Sequence, residues 1–271
     1  MENTIIPGDL ILINKRIYGA RDFNKDFALV RSHINSRSIE RWEVILFNFP
    51  VDDVIYSNEA SPLYYTEIQL KGKDVANKNV DKYGNLIKKK IGKRIPLVKR
   101  VVGLPGEILE IKDAKISIDN NPISLEKLQK NKITESLNVN DWDHLWFFPH
   151  DKSVKWGKYQ FGPIKIPKKG DSILLSKQNL LFYERVISIY ENNDLTISND
   201  KIFLNKELKK YYTFKKDYFF VVGDKRETSY DSRQWGFLPE DHIIGRAEMI
   251  LLSQSPSKNT MQWSRTLKLI D

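Results

Sequence analysis

The chain has 271 residues, no cysteine and a net charge of +9, from 44 Lys and Arg against 35 Asp and Glu. This length can bury a sizeable core in one or two domains. The lack of cysteine excludes disulfides and thiolate-bound metal. The charge alone fits a solvated lysine-rich surface, with nucleic acid or an anionic membrane surface as alternatives. The longest apolar runs are far shorter than the roughly 20 residues of a membrane-spanning helix.

The first third of the chain predicts short strands and one insertion. A Pro7-Gly8-Asp9 turn precedes a strand at residues 10–14, and an apolar strand at residues 43–49 ends before Pro50. Residues 52–85 show no clear period, and we expect an extended hairpin or a mobile loop there. We interpret the lysine cluster that follows as a solvated rim rather than a nucleic-acid site.

Residues 97–103 predict a strand in which a lysine lies among apolar side chains. Period-two alternation places Leu97, Lys99 and Val101 on one face, and Val98, Arg100 and Val102 on the other. An ordinary surface strand more often sets a lysine among polar neighbours. Without further signals, Lys99 is most simply an amphipathic lysine at a strand edge.

The rest of the chain reads as many short strands with frequent turns, which favours an all-β, mostly antiparallel fold. We expect a hairpin at residues 108–111 and 115–118, a short helix at 125–137, and strands at 172–175, 181–189, 195–198, 201–204 and 243–252.

Two polar stretches could hold a functional site. Residues 141–150, DWDHLWFFPH, contain two His and two Asp, but no metal-ligand spacing such as HExxH, so we predict no metal site. Residues 223–239, GDKRETSYDSRQWGFLP, follow an apolar strand and are dense in Asp, Arg and Ser. A charged loop after a buried strand is a frequent setting for a site.

A serine hydroxyl needs a base within hydrogen-bond reach to act as a nucleophile. None of the four His lies in a triad-like motif, and no GxSxG elbow is present. A lysine can replace histidine when it is neutral, and burial among apolar groups lowers its pKa. Lys99 has that sequence context.

Four segments together resemble the conserved boxes of bacterial type I signal peptidases, which are Ser/Lys endopeptidases. They are residues 1–20 (MENTIIPGDLILINKRIYGA), 41–50 (RWEVILFNFP), 96–107 (PLVKRVVGLPGE) and 223–239, in the family's order along the chain. The resemblance implies that Lys99 is the general base and that Ser229 orients it. It also implies a supporting set, namely Asp224, Arg100, Asp231 and Arg233. The family's first box reads Ser-Met-x-x-Thr, so the nucleophilic Ser would precede Met1.

The resemblance further implies the substrate and the location. Signal peptides of exported preproteins would bind in extended form, with Pro96, Leu97 and Val98 as the sheet edge. No cofactor, metal or nucleic acid is expected. Membrane lipids would be contacted through an amino-terminal anchor that these residues do not include. The catalytic domain would lie on the outer face of the cell membrane, or be soluble if the chain truly starts at Met1.

Two alternatives stay open at this point. The chain could be an inactive homologue that binds exported peptides or a partner without cutting, or a Ser/Lys autoprotease of the repressor type. As written, the 271 residues are expected to be inactive in peptide cleavage. For the domains, we predict a catalytic core from residues 1–107, with an insertion at 51–95, and from 218–271. A β-rich region, residues 108–217, is predicted to be inserted between the two parts.

Overall fold

The computed structural model describes residues 1–2, 4–22, 29–31, 37–58, 60–124, 138–140, 143–255 and 259–270. Within them most of the regular secondary structure is β-strand. The strands are β1 (Asp9–Asn14), β2 (Ala20–Asp22), β3 (Leu29–Arg31), β4 (Val44–Asn48), β5 (Val54–Tyr56), β6 (Leu86–Lys88), β7 (Pro96–Gly103), β8 (Ile108–Lys112), β9 (Lys115–Ile118), β10 (Asn121–Ile123), β11 (Phe161–Lys165), β12 (Ser172–Leu174), β13 (Leu195–Ser198), β14 (Lys201–Leu204), β15 (Glu207–Leu208), β16 (Tyr211–Thr213), β17 (Tyr218–Val222), β18 (Leu238–Pro239), β19 (Ile243–Ser255), β20 (Thr260–Met261) and β21 (Lys268–Leu269).

The helices are short. They are α1 (Tyr64–Lys71), α2 (Lys73–Lys78), α3 (Val80–Tyr83), α4 (Lys177–Arg185) and α5 (Ser232–Trp235), with a π-helical turn at Val186–Tyr190 and 3₁₀ turns at Ile91–Lys93, Asp143–Leu145, Glu240–His242 and Trp263–Arg265. Among the described residues, no helix has the length and hydropathy needed to cross a membrane.

The central sheet joins the two ends of the chain. Its strand order is β1-β19-β4-β7-β17-β18, with β20 and β21 also paired to β19, and all of these pairs are antiparallel. Strand β7 therefore lies inside the sheet between β4 and β17. The alternation predicted for β7 agrees with its packing, because Leu97 and Val101 belong to one apolar cluster while Val98 and Val102 belong to two others.

Residues 108–217 form small antiparallel sheets, ordered β10-β9-β8-β11, β12-β16 and β13-β14-β15. The largest apolar cluster extends from these sheets into the central one. It contains Leu109 and Phe161 from the first small sheet, and Val102 and Phe220 from β7 and β17. The all-β, mostly antiparallel fold is confirmed, whereas the domain limits stay a prediction.

The strand predicted at residues 181–189 is wrong. This segment lies in α4 and the π-helical turn that follows it. The Ser176 hydroxyl caps the helix by accepting from the Asn179 amide at 3.1 Å, and Leu180, Tyr183 and Ile187 are buried on one side. Those positions recur at three- and four-residue intervals, which a short apolar run does not distinguish from a buried strand.

The hairpin or mobile loop predicted at residues 52–85 is only partly right. Strands β5 and β6 do pair, but they enclose three consecutive helices, α1 to α3. The helices are individually short and break at Gly72, whose φ of 86° is left-handed. Tyr56 donates to the carbonyl of Ala76 at 2.7 Å and so closes a small core. The region from 51 to 95 is called the insertion below.

The other strand predictions are confirmed within a residue or two at most ends. They include the hairpin of β8 and β9, the hairpin of β13 and β14, and the long last strand, which extends to Ser255. The helix predicted at residues 125–137 lies outside the described residues.

Phe220 should carry much of the packing between the central sheet and the small sheets. It is fully buried on β17, and its ring lies 5.3 Å from that of Phe161. We expect Phe220→Ala to lower the free energy of unfolding by about 3–5 kcal/mol in a urea titration. The exposed Leu208→Ala is the control and should change it by less than about 0.5 kcal/mol. Equal, small effects for both would contradict this packing.

Candidate active site

Lys99 lies in the middle of the central sheet, opposite Ile45 of β4. Its side chain is mostly buried. Burial lowers the pKa of Lys99 below its ordinary value of 10.5, while nearby Asp231 and Asp224 act in the opposite direction and Arg233 acts in the same one. Because burial outweighs the carboxylates, the neutral amine is favoured more than in a solvated lysine.

Ser229 and Lys99 meet at Gly223, the first residue after β17. A Cβ on Gly223 would lie 2.1 Å from Ser229 Oγ and 3.7 Å from Lys99 Cδ. Only a glycine leaves room for the serine at this point. Ser229 Oγ is buried and has no hydrogen-bond partner among the described residues, although the hydroxyl is near enough to Asp231 to help lower the pKa of that carboxyl.

Arg100 and Asp224 form a fully buried bidentate ion pair. Arg100 Nε and one terminal nitrogen each donate to an Asp224 oxygen at 2.9 Å, and neither side chain is exposed. The other terminal nitrogen donates to the carbonyl of Trp42 at 2.6 Å. Asp224 follows β17 and Arg100 follows Lys99 on β7, so the pair fixes the loop start beside the lysine.

Asp231 and Arg233 form a second buried ion pair, with two contacts of 2.9 Å. Asp231 also caps α5 in a capping box with Gln234, and it accepts from the Gly223 amide at 3.0 Å. Burial alone would raise the pKa of Asp231, but Arg233, the Gly223 amide and Ser229 together lower it below its ordinary value. The carboxylate therefore stays ionised and ties both ends of the loop together.

The amino-terminal segment lies against the same ion pair. The Thr4 hydroxyl donates to Asp224, and it accepts from Arg100 at 3.2 Å. The amino group of Met1 has a lowered pKa, first through burial and then through the neighbouring charge of Lys99. The backbone at Met1 is thus held close to Lys99.

All six residues predicted as catalytic or supporting gather here, from β7, from the loop between β17 and α5, and from α5 itself: Lys99, Ser229, Asp224, Arg100, Asp231 and Arg233. Sequence reasoning missed Thr4, Gly223 and Arg226. Arg226 donates to the carbonyl of Ala114 at 2.5 Å, at the turn of the β8–β9 hairpin, and burial lowers its pKa to about 10. The Thr that ends the family's Ser-Met-x-x-Thr box could have indicated Thr4. The glycine that follows a buried strand could have indicated Gly223.

The start of β7 is unpaired with β17. Strand β17 pairs only with the part of β7 from Arg100 to Gly103, while β4 pairs with β7 from Pro96 onward. Val101 bonds through its amide and carbonyl to the β4 side, so by alternation the amide and carbonyl of Val98 point to the other side. Pro96 and Val98 thus present backbone groups where β17 has already ended.

No group of three or more His, Cys, Asp or Glu side chains with metal-binding geometry occurs in the described part of the chain. His150 instead contacts the carbonyls of Gln234 and Leu145, at 2.7 and 3.3 Å. Asp141 lies outside the described residues.

The lowered pKa of Lys99 has a measurable consequence for stability. Between the lowered pKa and 10.5, the unfolded chain binds more protons at this residue than the folded chain, so its contribution to stability rises with pH. We expect Lys99→Met to be more stable than the original chain in urea at pH 7, and this gain should shrink as the pH approaches 10.5. The exposed Lys177→Met serves as the control, and a gain that does not depend on pH would contradict a buried, perturbed Lys99.

Comparisons with known proteins agree with this geometry. The family described as "Signal peptidase, peptidase S26" matches residues 1–252. A "Signal peptidase I" of Buchnera aphidicola subsp. Schizaphis graminum is 26% identical over 283 residues, covering 99% of this chain and 70% of that protein. A "Signal peptidase I" of Haemophilus influenzae is 24% identical over 262 residues, covering 96% of this chain and 62% of that protein.

Among solved structures, a signal peptidase I from Enterococcus faecalis V583 matches 78% of this chain and 97% of its own, at 15% identity and a TM-score of 0.31. A similarity this low adds nothing to the assignment, which rests on the family match along the chain. That match covers the amino-terminal segment, β7 and the Ser229 loop alike. The chain belongs to the signal peptidase S26 family, the peptidases that process signal peptides.

Proposed function

We propose that this chain is the catalytic part of a signal peptidase that cleaves by a Ser/Lys dyad, with Lys99 as general base. One observation carries the proposal: Lys99 is mostly buried with a lowered pKa, its side chain lies beside Gly223 close to Ser229, and its charge acts on the amino group of Met1. A residue directly before Met1 would therefore start near Lys99. The resemblance of the first box supports a nucleophilic serine at this position.

The chemistry follows from a neutral Lys99. Its amine takes the proton of the serine hydroxyl as the serine oxygen attacks the scissile carbonyl, and a tetrahedral intermediate forms. The protonated Lys99 then donates that proton to the leaving amine as the peptide bond breaks, which leaves an ester to the serine. Water, deprotonated by Lys99, hydrolyses the ester and restores the serine. The serine's own amide is proposed to donate to the oxyanion.

The supporting charges position these groups and take no part in proton transfer. Arg100, Asp224 and Thr4 tie the amino-terminal segment to β7, so that the nucleophile and the base keep a constant separation. Asp231 and Arg233 hold the Ser229 loop. Because each carboxylate is already paired with an arginine, it stabilises the protonated form of Lys99 less than an unpaired carboxylate would.

The substrate would bind as an added strand at the unpaired start of β7. The Val98 amide and carbonyl would bond the backbone of the peptide, and alternate side chains would enter the protein. Val98 itself packs in an apolar cluster with Met1, Ile5 and Ile11. Small side chains before the cleaved bond, in the A-x-A pattern of secretory signals, fit beside such a cluster.

Cleavage of a signal-peptide substrate tests the proposal. A chain with Ser directly before Met1 should cut an A-x-A peptide, whereas Met1–Asp271 and a chain with Ala before Met1 should not. Lys99→Met in the Ser-bearing chain should lower kcat by about 100-fold or more, as expected for a lost general base. Cleavage by Met1–Asp271 itself would overturn the dyad, and a folded but inactive Ser-bearing chain that still binds the peptide would indicate the non-cleaving homologue.

We also propose that the catalytic part contacts the cell membrane, on its outer face. The outer side of β19 and its neighbours is apolar: Leu10 lies opposite Leu252, and Leu12 and Leu269 flank Met249. Ile11 and Ile250 point to the core instead. Trp263, beyond β20, is 73% exposed. An apolar surface of this extent on a soluble domain usually marks a contact with a partner or a bilayer. Its exposed members are Leu10, Leu12, Leu252, Met261, Trp263, Leu267 and Leu269.

Vesicle binding checks the membrane contact. Met1–Asp271 should bind vesicles of phosphatidylglycerol and phosphatidylcholine, with a blue shift of tryptophan fluorescence. The double variant Trp263→Ser/Leu269→Ser should bind at least about tenfold more weakly, since burial of one such side chain is worth about 1.5–3 kcal/mol. Leu174→Ser, exposed on β12, is the control. Equal binding by all three proteins would exclude this surface.

A further inference from the structure

The position of Ser229 depends on the residues beside it. Its buried hydroxyl has no hydrogen-bond partner among the described residues. On one side, two residues along, Asp231 is held by Arg233 and the Gly223 amide. On the other side of the loop, Lys225 contacts Glu2 at the surface. Tyr230, the residue next to Ser229, is a further point at which the loop contacts the rest of the protein.

Tyr230 is partly exposed but its two ends are in contact with the protein. The residue is 40% exposed. Its ring meets that of Phe49 edge-on, with centroids 5.9 Å apart and an interplanar angle of 76°. Burial of the hydroxyl raises the pKa of Tyr230, and the nearby Thr66 side chain partly offsets that rise. Thr66 belongs to α1, within the insertion.

The aromatic contact continues back to the loop. Phe49 meets Trp235 edge-on at 6.1 Å, and Trp235 also lies 6.0 Å from Phe47 of β4. Trp235 is the last residue of α5, the helix that Asp231 caps. Phe49, Trp235 and Tyr65 share one buried cluster. Tyr230 is thus packed against a fixed aromatic group that is attached to both the sheet and the loop.

The insertion is itself anchored at its base. Asp52 accepts from the Ile95 amide at 2.8 Å and from Lys89 at 2.5 Å, which joins the two ends of the insertion just before Pro96. Arg185 of α4 donates to Asp53 at 2.6 Å, and its guanidinium lies 5.0 Å from the ring centroid of Tyr65. Helix α1 is therefore held against both the central sheet and α4.

We propose that the insertion positions the base of the dyad: α1, through Thr66 and Tyr65, and Phe49 hold Tyr230, and Tyr230 sets where the Ser229 hydroxyl meets Lys99. This inference rests on the proposed function, in which Ser229 orients Lys99. Tyr230 is a positioning residue, since it acts through Ser229. In this proposal the insertion, 45 residues from 51 to 95, contributes to catalysis although it supplies no reacting atom.

The test compares Tyr230→Ala with Tyr230→Phe, which keeps the ring, in the chain with Ser before Met1. Tyr230→Ala should lower kcat by about tenfold or more with KM nearly unchanged, because a displacement of about 1 Å near reacting atoms can cost 100-fold. In the Tyr230→Ala variant, the rising limb of the pH profile of kcat/KM, which reports deprotonation of Lys99, should move to higher pH. A looser loop lets water reach Lys99 and raises its pKa. Tyr230→Phe should restore only part of kcat, because it keeps the ring contact with Phe49 but loses the contact with Thr66. Tyr211→Ala, exposed on β16, is the control.

A second measurement needs no cleavage. The titration of Lys99 in Met1–Asp271 can be followed by NMR of labelled lysine side chains, with Lys99→Met to identify the signal. Tyr230→Ala should raise the pKa of Lys99, Tyr230→Phe should raise it by a smaller amount because only the contact with Thr66 is lost, and Tyr211→Ala should not raise it. If Tyr230→Ala fails to fold, Thr66→Val removes the hydroxyl contact with little change of shape and should move the titration in the same direction.

The outcomes separate the two proposals. If Ser229→Ala lowers kcat and shifts the Lys99 titration while Tyr230→Ala and Thr66→Val do neither, the role of the insertion is wrong and the dyad stands. If Ser229→Ala changes neither quantity, Ser229 does not orient Lys99, and the inference falls with that assignment. Parallel effects of Ser229→Ala and Tyr230→Ala, with partial rescue in Tyr230→Phe, support both.

Discussion

The structure depends on keeping one lysine amine out of water without giving it a carboxylate partner of its own. Lys99 lies between Leu97 and Val101 on the central sheet, and burial lowers its pKa despite two aspartates nearby. A free carboxylate at this distance would hold the proton on the lysine. The two aspartates do not do so because each is bonded to an arginine, Asp224 to Arg100 and Asp231 to Arg233. The two ion pairs thus shape the site and leave the amine available.

This arrangement explains the chain order of the site. Lys99 and Arg100 are adjacent on β7 and therefore point to opposite faces of the strand. Lys99 points toward the proposed reacting position and Arg100 toward Asp224. Strand β17 ends at Val222, and Gly223 then lets the Ser229 loop return across the lysine. Strand β7 continues for several residues beyond that end, and its backbone there is open to an extended peptide. The proposed base, its proposed orienting serine and the proposed binding edge thus all lie near the point where β17 ends.

The peripheral regions contact the site rather than merely extending the chain. Arg226 joins the Ser229 loop to the β8–β9 hairpin, and Tyr230 joins it to Phe49 and, through Thr66, to the insertion. The apolar face proposed to contact the membrane belongs to β1, β19 and β21 of the same sheet.

The sequence by itself determined the strand pattern, the position of Lys99 among apolar neighbours and the family boxes, since strand alternation and short motifs are local properties. It predicted a strand at residues 181–189, where the chain is helical, because a short apolar run fits both periods and the Ser176 cap is visible only in the structure. It could not indicate that the insertion folds as three helices, or that Tyr230 rests on Phe49. Those outcomes, like the approach of Ser229 and Lys99 at Gly223, were decided only by the tertiary structure, because they come from contacts between segments that are remote in the chain.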